Sequence, residues 1–137
     1  LYHPGGALGR QLLSRVKHRM STTIPCVFND TPFNDVIYTV SDGRKGMTLV
    51  YNHNNQCIGI ITDGDIRRAV QNHENIKTLT AADIMTHSFK HIHQEAMISQ
   101  ALELMDINNI TSLAVTDTLD SNNIIGILHI HDIIDFK

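Results

Sequence analysis

Laid on itself at an offset of 65 residues, rising to 67 towards each C-terminal end, the chain reads twice. Met20 falls on Met85, Val36 on Ala101, Val50 on Val115, Gly59 on Gly126 and Asp65 on Asp132. "GMTLVYNHNNQCIGIITDGDI" thus pairs with "TSLAVTDTLDSNNIIGILHIHDI", which has two extra residues in its turn. A solenoid needs about three or more units to bury its faces, so two copies point to a packed pseudo-symmetric pair. With 137 residues, 42% of them hydrophobic, the chain can form one ordinary domain or two small modules sharing a core.

The two copies carry the same order of elements. A short extended piece, 25–28 in the first and 89–92 in the second, leads into a helix. In "DTPFNDVIYTVSDG" Thr31 reads as the N-cap, Pro32 as the first helical residue and Gly43 as the residue just past the end. In "AMISQALELMDINN" Met97, Ala101, Leu104 and Met105 share one face at helical spacing, and an Asn pair closes the helix. Two strands follow as a hairpin: "MTLVY" and "CIGIIT" around "NHNNQ", then "SLAVTD" and "IIGILH" around "TLDSNN". Each hairpin runs into a last helix, at 63–70 and at 131–136. The polar connector 71–80 ends at Thr80, placed to cap "AADIM". Ahead of the repeats, "ALGRQLLSRVKHRM" spaces Leu8, Leu12, Val16 and Met20 four apart, which predicts an amphipathic helix with a solvated basic outer face.

Composition narrows the function classes. No apolar run approaches the roughly 18 to 20 residues of a membrane span, and the N-terminus lacks a signal-peptide pattern, so a cytoplasmic protein is expected. The first residue is Leu1, which suggests a piece of something longer. Residues 1–70 carry eight Lys/Arg against five Asp/Glu, and 71–137 three against nine. That balance argues against nonspecific nucleic-acid binding and favours the first half for an anion. Cys26 and Cys57 lie in apolar runs without metal or CxxC spacing and read as buried, reduced thiols.

The corner "GIITDGDIRR" concentrates the candidate site. Gly59 in a strand permits close approach of another backbone or of a flat ligand, and Gly64 permits a tight turn. Thr62 can cap the following helix or offer its hydroxyl to a phosphate, at a helix start whose free N–H groups favour anions. Asp65 has two acceptor oxygens suited to a ribose diol, and Arg67 and Arg68 stand just beyond to face a phosphate. An ordinary helix start accounts for the same residues. The corner recurs as "GILHIHDI", keeping Gly126 and Asp132 but with His129 at the cap position.

Two copies of strand, helix, hairpin and helix, each ending in a G-h-x-[S/T]-x-x-D-like corner, resemble a tandem pair of CBS domains, the regulatory module named after cystathionine beta-synthase. The resemblance covers residues 20–137 and implies an α/β (α+β) fold: two β-α-β-β-α repeats with sheets packed face to face, preceded by an amphipathic linker helix. The expected organisation is 1–19 as linker and tail of a preceding domain, 20–71 as the first repeat, 72–83 as connector and 84–137 as the second repeat. In that family the corner's hydroxyl and aspartate hold the phosphate and ribose of a nucleotide. Thr62 and Asp65 match fully, whereas His129 departs from the pattern beside Asp132.

A second resemblance adds the leader. "HPGGALGRQLL", "GIITDGDIRRA", "ITSLAVTD" and "GILHIHDI", in that order, are similar to the C-terminal part of bacterial arabinose-5-phosphate isomerases, which join a sugar isomerase (SIS) domain to a CBS pair. The resemblance implies that the whole protein interconverts D-arabinose 5-phosphate and D-ribulose 5-phosphate for Kdo in lipopolysaccharide or capsule. His3 matches the family's active-site histidine. Imidazole titrates near neutrality and suits a proton shift between adjacent carbons. The 137-residue piece, without the SIS residues, is expected to be inactive. No cofactor is required, and a nucleotide or sugar nucleotide is the expected effector. The family also implies dimers of CBS pairs and a tetramer of the whole protein, without nucleic-acid or membrane partners.

The chain has nine histidines, among them two H-x-H pairs, His91/His93 and His129/His131. H-x-H on a strand turns both rings to one side, and imidazole suits zinc, nickel or copper, so these four are metal candidates beside a polar-surface reading. Three functions stand at this point: a ligand-sensing pair, an oligomerising module with empty clefts, and a metal-responsive module. On the first, Asp65→Ala is expected to abolish nucleotide binding and leave the fold intact.

Overall fold

A computed structural model describes residues 9, 12–119 and 122–133. They form two compact units, one of residues 24–89 and one joining the residues up to Thr23 with those from Lys90 onward.

The 24–89 unit contains β1 (Cys26–Phe28), α1 (Phe33–Gly43), β2 (Met47–Tyr51), β3 (Cys57–Thr62), α2 (Asp63–Asn72) and the short α3 (Ala81–Ile84). Its sheet has the order β1-β2-β3, with β1 parallel to β2 and β2 antiparallel to β3. A parallel pair needs a crossover, and α1 supplies it. Val27, Val50 and Ile61 stand on one face and pack against Val36 and Val40 of α1 and against Ala81. Burying each such aliphatic side chain contributes about 1.5–3 kcal/mol, and this packing holds the helix on the sheet. The β2–β3 turn is closed by Asn52, whose Oδ1 accepts from the Asn54 and Gln56 amides at 2.9 and 3.0 Å. Asn55 supplies its left-handed residue at φ 61°.

The second unit repeats this plan with β4 (His91–His93), α4 (Ile98–Asn108), β5 (Ser112–Thr116), β6 (Ile124–His129) and α5 (Ile130–Ile133), in sheet order β4-β5-β6. Its core gathers Leu113, Val115 and Leu128 of the sheet with Ile98, Ala101 and Met105 of α4 and with Val16 from the leader. The sequence repeat reaches the helix ends. Arg44 and Asn109, 65 residues apart, both terminate their helices in the left-handed conformation, at φ 57° and 53°.

Several expectations shift. Pro32, not Thr31, is the N-cap of α1, and Gly43 lies inside the helix, which Arg44 ends. The Thr31 hydroxyl instead accepts from the Phe28 amide at 3.0 Å. Met97 likewise precedes its helix as N-cap, and Leu104 is only partly buried against the core.

The leader is not one helix through to Met20. Arg15 is extended, and a 3₁₀ turn at Val16–His18 follows. Competing backbone partners explain the break: the Val16 and Lys17 amides donate to the Ala96 and Gln94 carbonyls at 2.8 and 2.9 Å, and the Ile98 amide donates to the Ser14 carbonyl at 2.9 Å. These tertiary hydrogen bonds override the local helical pattern while Val16 stays buried. Leu8, His3 and the helix end at 134–136 lie outside the described residues.

Candidate functional site

The β3–α2 corner is built by a reciprocal cap. Thr62 is the N-cap of α2, and its hydroxyl accepts from the Asp65 amide at 3.2 Å. Asp65 reaches back: its Oδ2 accepts from the Thr62 amide at 3.0 Å and from the Thr62 hydroxyl at 3.2 Å. Two orphan amides of the first turn are satisfied together, and both carboxylates of that turn, Asp63 and Asp65, complement the helix dipole.

The other carboxylate oxygen is also engaged. Asp65 Oδ1 accepts from Arg68 Nη2 at 2.8 Å and from the Thr86 hydroxyl at 3.0 Å. Asp65 is only 7% exposed, whereas the Arg68 side chain is 57% exposed, so the ion pair joins a buried acid to a base at the surface. Gly64 makes room for this return of Arg68. A Cβ there would stand 3.1 Å from Arg68 Nη1, and its φ is not of the left-handed kind, so it marks close packing and not the tight turn expected. Arg67 and Arg44 are exposed.

Gly59 admits a backbone. The Ile60 and Thr86 main chains exchange hydrogen bonds of 3.0 and 2.8 Å, and a Cβ on Gly59 would lie 2.8 Å from the Thr86 carbonyl oxygen. That pairing delivers the Thr86 hydroxyl to Asp65. Sequence reading missed Thr86, although the signal was present: the repeat places Ser21 and Thr86 in register, each directly after a paired methionine. Ser21 pairs in the same way with Ile127 beside Gly126. Asp65 and Arg68 also line a polar groove of about 240 Å³ between α2 and α3, with Asn72, His73 and Asp83.

The second-repeat corner keeps half of this arrangement. Asp132 Oδ2 accepts from the His129 amide at 2.9 Å, as Asp65 does from Thr62. The imidazole takes over the capping role of the missing hydroxyl, its Nδ1 accepting from the His131 amide at 3.1 Å. The His129 and His131 rings meet edge to face with centroids 4.7 Å apart. His91 and His93 occupy the exposed face of β4, opposite Ala114 and Thr116, whereas His129 is paired with Ser112. The two H-x-H pairs are therefore separated by a strand and offset in register. Among the described residues no group of three or more His, Cys, Asp or Glu side chains gathers at metal-binding range.

The cysteines differ from expectation. Both are free, but Cys26 is exposed and Cys57 half-buried. Partial burial pushes both thiols above their ordinary pKa, and for Cys26 the neighbouring Cys57 adds to the rise. Cys26 lines an apolar pocket of about 250 Å³ with Phe28, Tyr51 and Asn55. At its rim Phe28 stacks on His53, with ring centroids 4.9 Å apart.

Comparisons with known proteins agree with this architecture. The family model described as "CBS domain" matches residues 13–72 and 81–137. A protein of Haemophilus influenzae named "Probable arabinose 5-phosphate isomerase" is 44% identical over 93% of this chain and 37% of its own length. The arabinose 5-phosphate isomerase KdsD of Escherichia coli is 38% identical over 98% of this chain and 40% of its own length. The chain thus spans about two fifths of the length of the curated relatives it matches. Among solved structures, the CBS domain protein of Pyrobaculum aerophilum complexed with AMP superposes with a TM-score of 0.76 at 19% identity, over 90% of this chain and 92% of the other. A CBS domain pair in complex with 5′-methylthioadenosine and S-adenosyl-L-methionine superposes with a TM-score of 0.75 at 22% identity, over 88% of this chain and 93% of the other. Among the described residues no helix is long and apolar enough to cross a membrane.

Proposed function

The chain belongs to the CBS domain family, and on that premise we propose that it is the ligand-sensing part of an arabinose-5-phosphate isomerase, taking a nucleotide or sugar nucleotide at the Thr62–Asp65 corner. The observation that carries this reading is the complete Thr/Asp corner of the first repeat, joined to a surface arginine, in the half of the chain where positive charge prevails. In the proposed complex Asp65 accepts from the ribose diol. The Thr62 hydroxyl and the basic side chains of Arg67, Arg68, Arg44 and Lys45 face the phosphate. His129 and Asp132 would form a second, modified site with an imidazole in place of the hydroxyl.

The relatives' names and the AMP, S-adenosylmethionine and methylthioadenosine complexes of the structural neighbours support this assignment. The whole protein would then interconvert D-arabinose 5-phosphate and D-ribulose 5-phosphate in the cytoplasm, on the way to Kdo for lipopolysaccharide or capsule. His3 would serve the catalytic centre of a preceding SIS domain, and this chain alone would be inactive. CBS pairs associating as dimers would build the tetramer.

A second reading has one observation in its favour. All the acceptor positions of Asp65 are already filled from within the chain, as expected for a helix corner in a purely oligomerising module. A thermal-shift screen against AMP, ATP, CMP, CMP-Kdo, arabinose 5-phosphate, zinc and nickel separates the readings. A ligand that binds the folded state raises Tm once its concentration exceeds Kd. A shift with a nucleotide or sugar nucleotide, reduced in Thr62→Val, is expected. A shift with zinc or nickel alone would favour a metal-responsive module, and no shift with any compound would leave the oligomerising module.

A further inference from the structure

We propose that the Thr86 hydroxyl is the internal competitor that sets the affinity of the Asp65 site, occupying in the ligand-free chain the acceptor position that a ligand's diol must take. The proposal rests on the reading of the corner as a diol-binding site. A carboxylate offers about four lone-pair positions, and Asp65 has four donors on them: the Thr62 amide, the Thr62 hydroxyl, Arg68 Nη2 and the Thr86 hydroxyl. A ligand hydroxyl cannot join without one of them leaving.

The four are not equally replaceable. The Thr62 amide belongs to the backbone cap of α2, and the Thr62 hydroxyl also accepts from the Asp65 amide, so losing either opens the helix start. Arg68 makes the shortest contact, 2.8 Å, and carries the charge that balances a carboxylate only 7% exposed. The Thr86 hydroxyl is a neutral donor at 3.0 Å on a half-buried residue. Its backbone is held separately by Ile60, so the side chain can turn away without disturbing the strand pairing. Exchanging it for a ligand hydroxyl replaces one neutral donor by another and leaves the cap and the ion pair in place.

Removing the competitor therefore strengthens binding, which a merely structural threonine would not do. The test is isothermal titration of AMP, and of 2′,3′-dideoxyadenosine monophosphate as a ligand without the diol, into the wild-type chain, Thr86→Val, Thr86→Ala and Thr86→Ser. Thr86→Val and Thr86→Ala are expected to bind AMP roughly three- to tenfold more tightly, the range corresponding to one net hydrogen bond. Thr86→Ser should bind like the wild type, and none of the three should change the affinity for the dideoxy ligand. Binding by the hydroxyl-free variants alone would be the strongest form of the same result. If the wild type binds AMP and the hydroxyl-free variants bind it equally or more weakly, the competitor role is refuted while the nucleotide reading stands. If no protein binds AMP, the competitor role falls, and the ligand-sensing reading falls with it only if no other nucleotide or sugar nucleotide of the thermal-shift screen raises Tm.

Discussion

Replacing Asp65 by alanine tests the corner most directly, because one side chain there meets four donors. Loss of the reciprocal cap should cost about 1 kcal/mol, the usual value for removing an N-terminal cap. The Thr62 amide and the Thr86 hydroxyl lose a charged acceptor in a half-buried setting, adding about 1–2 kcal/mol. The ion pair adds little, about 0–1 kcal/mol, since the Arg68 side chain is 57% exposed and returns to water. The total is about 2–4 kcal/mol. With an unfolding entropy of about 2.1 cal/mol/K per residue, this lowers Tm by roughly 7–14 °C if the chain melts in one step. Urea and thermal unfolding followed by circular dichroism would measure it. Asp65→Asn should lose a comparable amount, because either orientation of the amide turns an NH₂ towards the Thr62 amide or towards Arg68. A loss below about 0.5 kcal/mol in both variants would refute this account of the corner. Asp65→Ala is expected to fold despite this loss, so any binding comparison is made against the variant's own ligand-free Tm.

Four further outcomes follow from the described contacts. Gly59→Ala and Gly126→Ala should each destabilise by about 1–3 kcal/mol in urea titrations, since the new Cβ would lie 2.8 Å from the Thr86 oxygen and 2.9 Å from the Ser21 oxygen respectively. Arg44→Gly should raise stability by roughly 0.5–1 kcal/mol, because the residue sits at φ 57° and glycine adopts that conformation without a steric penalty. Glu95, hydrogen-bonded by Lys17 Nζ at 2.9 Å, is held below its ordinary pKa of 4.5. A depressed folded-state pKa contributes stability above the unfolded value that is lost as pH falls through the folded one. Glu95→Gln should therefore slightly flatten acid unfolding below about pH 4.5, and added salt should erase the difference. Both thiols, raised above 9.0 chiefly by burial, should alkylate with iodoacetamide more slowly than free cysteine at pH 8, with the rate climbing above pH 9.

Much of the fold is legible because its signals are local. Short apolar runs on either side of the polar turn "NHNNQ" announce a hairpin whatever lies nearby, and Asn52 closes it with its own side chain. The register of Met20 on Met85 and Gly59 on Gly126 exposes the repeat, and it even marks Ser21 and Thr86 as equivalent hydroxyls. The leader does not stay helical through to Met20 for the opposite reason. Four apolar residues at helical spacing say nothing of the Gln94 and Ala96 carbonyls, about 80 positions away in sequence, that claim its amides. Cys26 likewise sits in an apolar run but ends on the outer, exposed side of an edge strand.

The sequence by itself determined that two like units exist, which segments within the two repeats are strands and helices, and that Thr62 and Asp65 lie at a helix start, because periodicity, turn residues and caps act over a few residues. Only the tertiary structure decided what meets that corner. Gly59 could have admitted a ligand or a backbone, and the Thr86 main chain is what fills the space. Asp65 could have offered open acceptors, and Arg68 and Thr86 close them. A side chain's chemistry is written in its identity, but whether its hydrogen-bonding capacity is free depends on groups brought from elsewhere in the chain by packing.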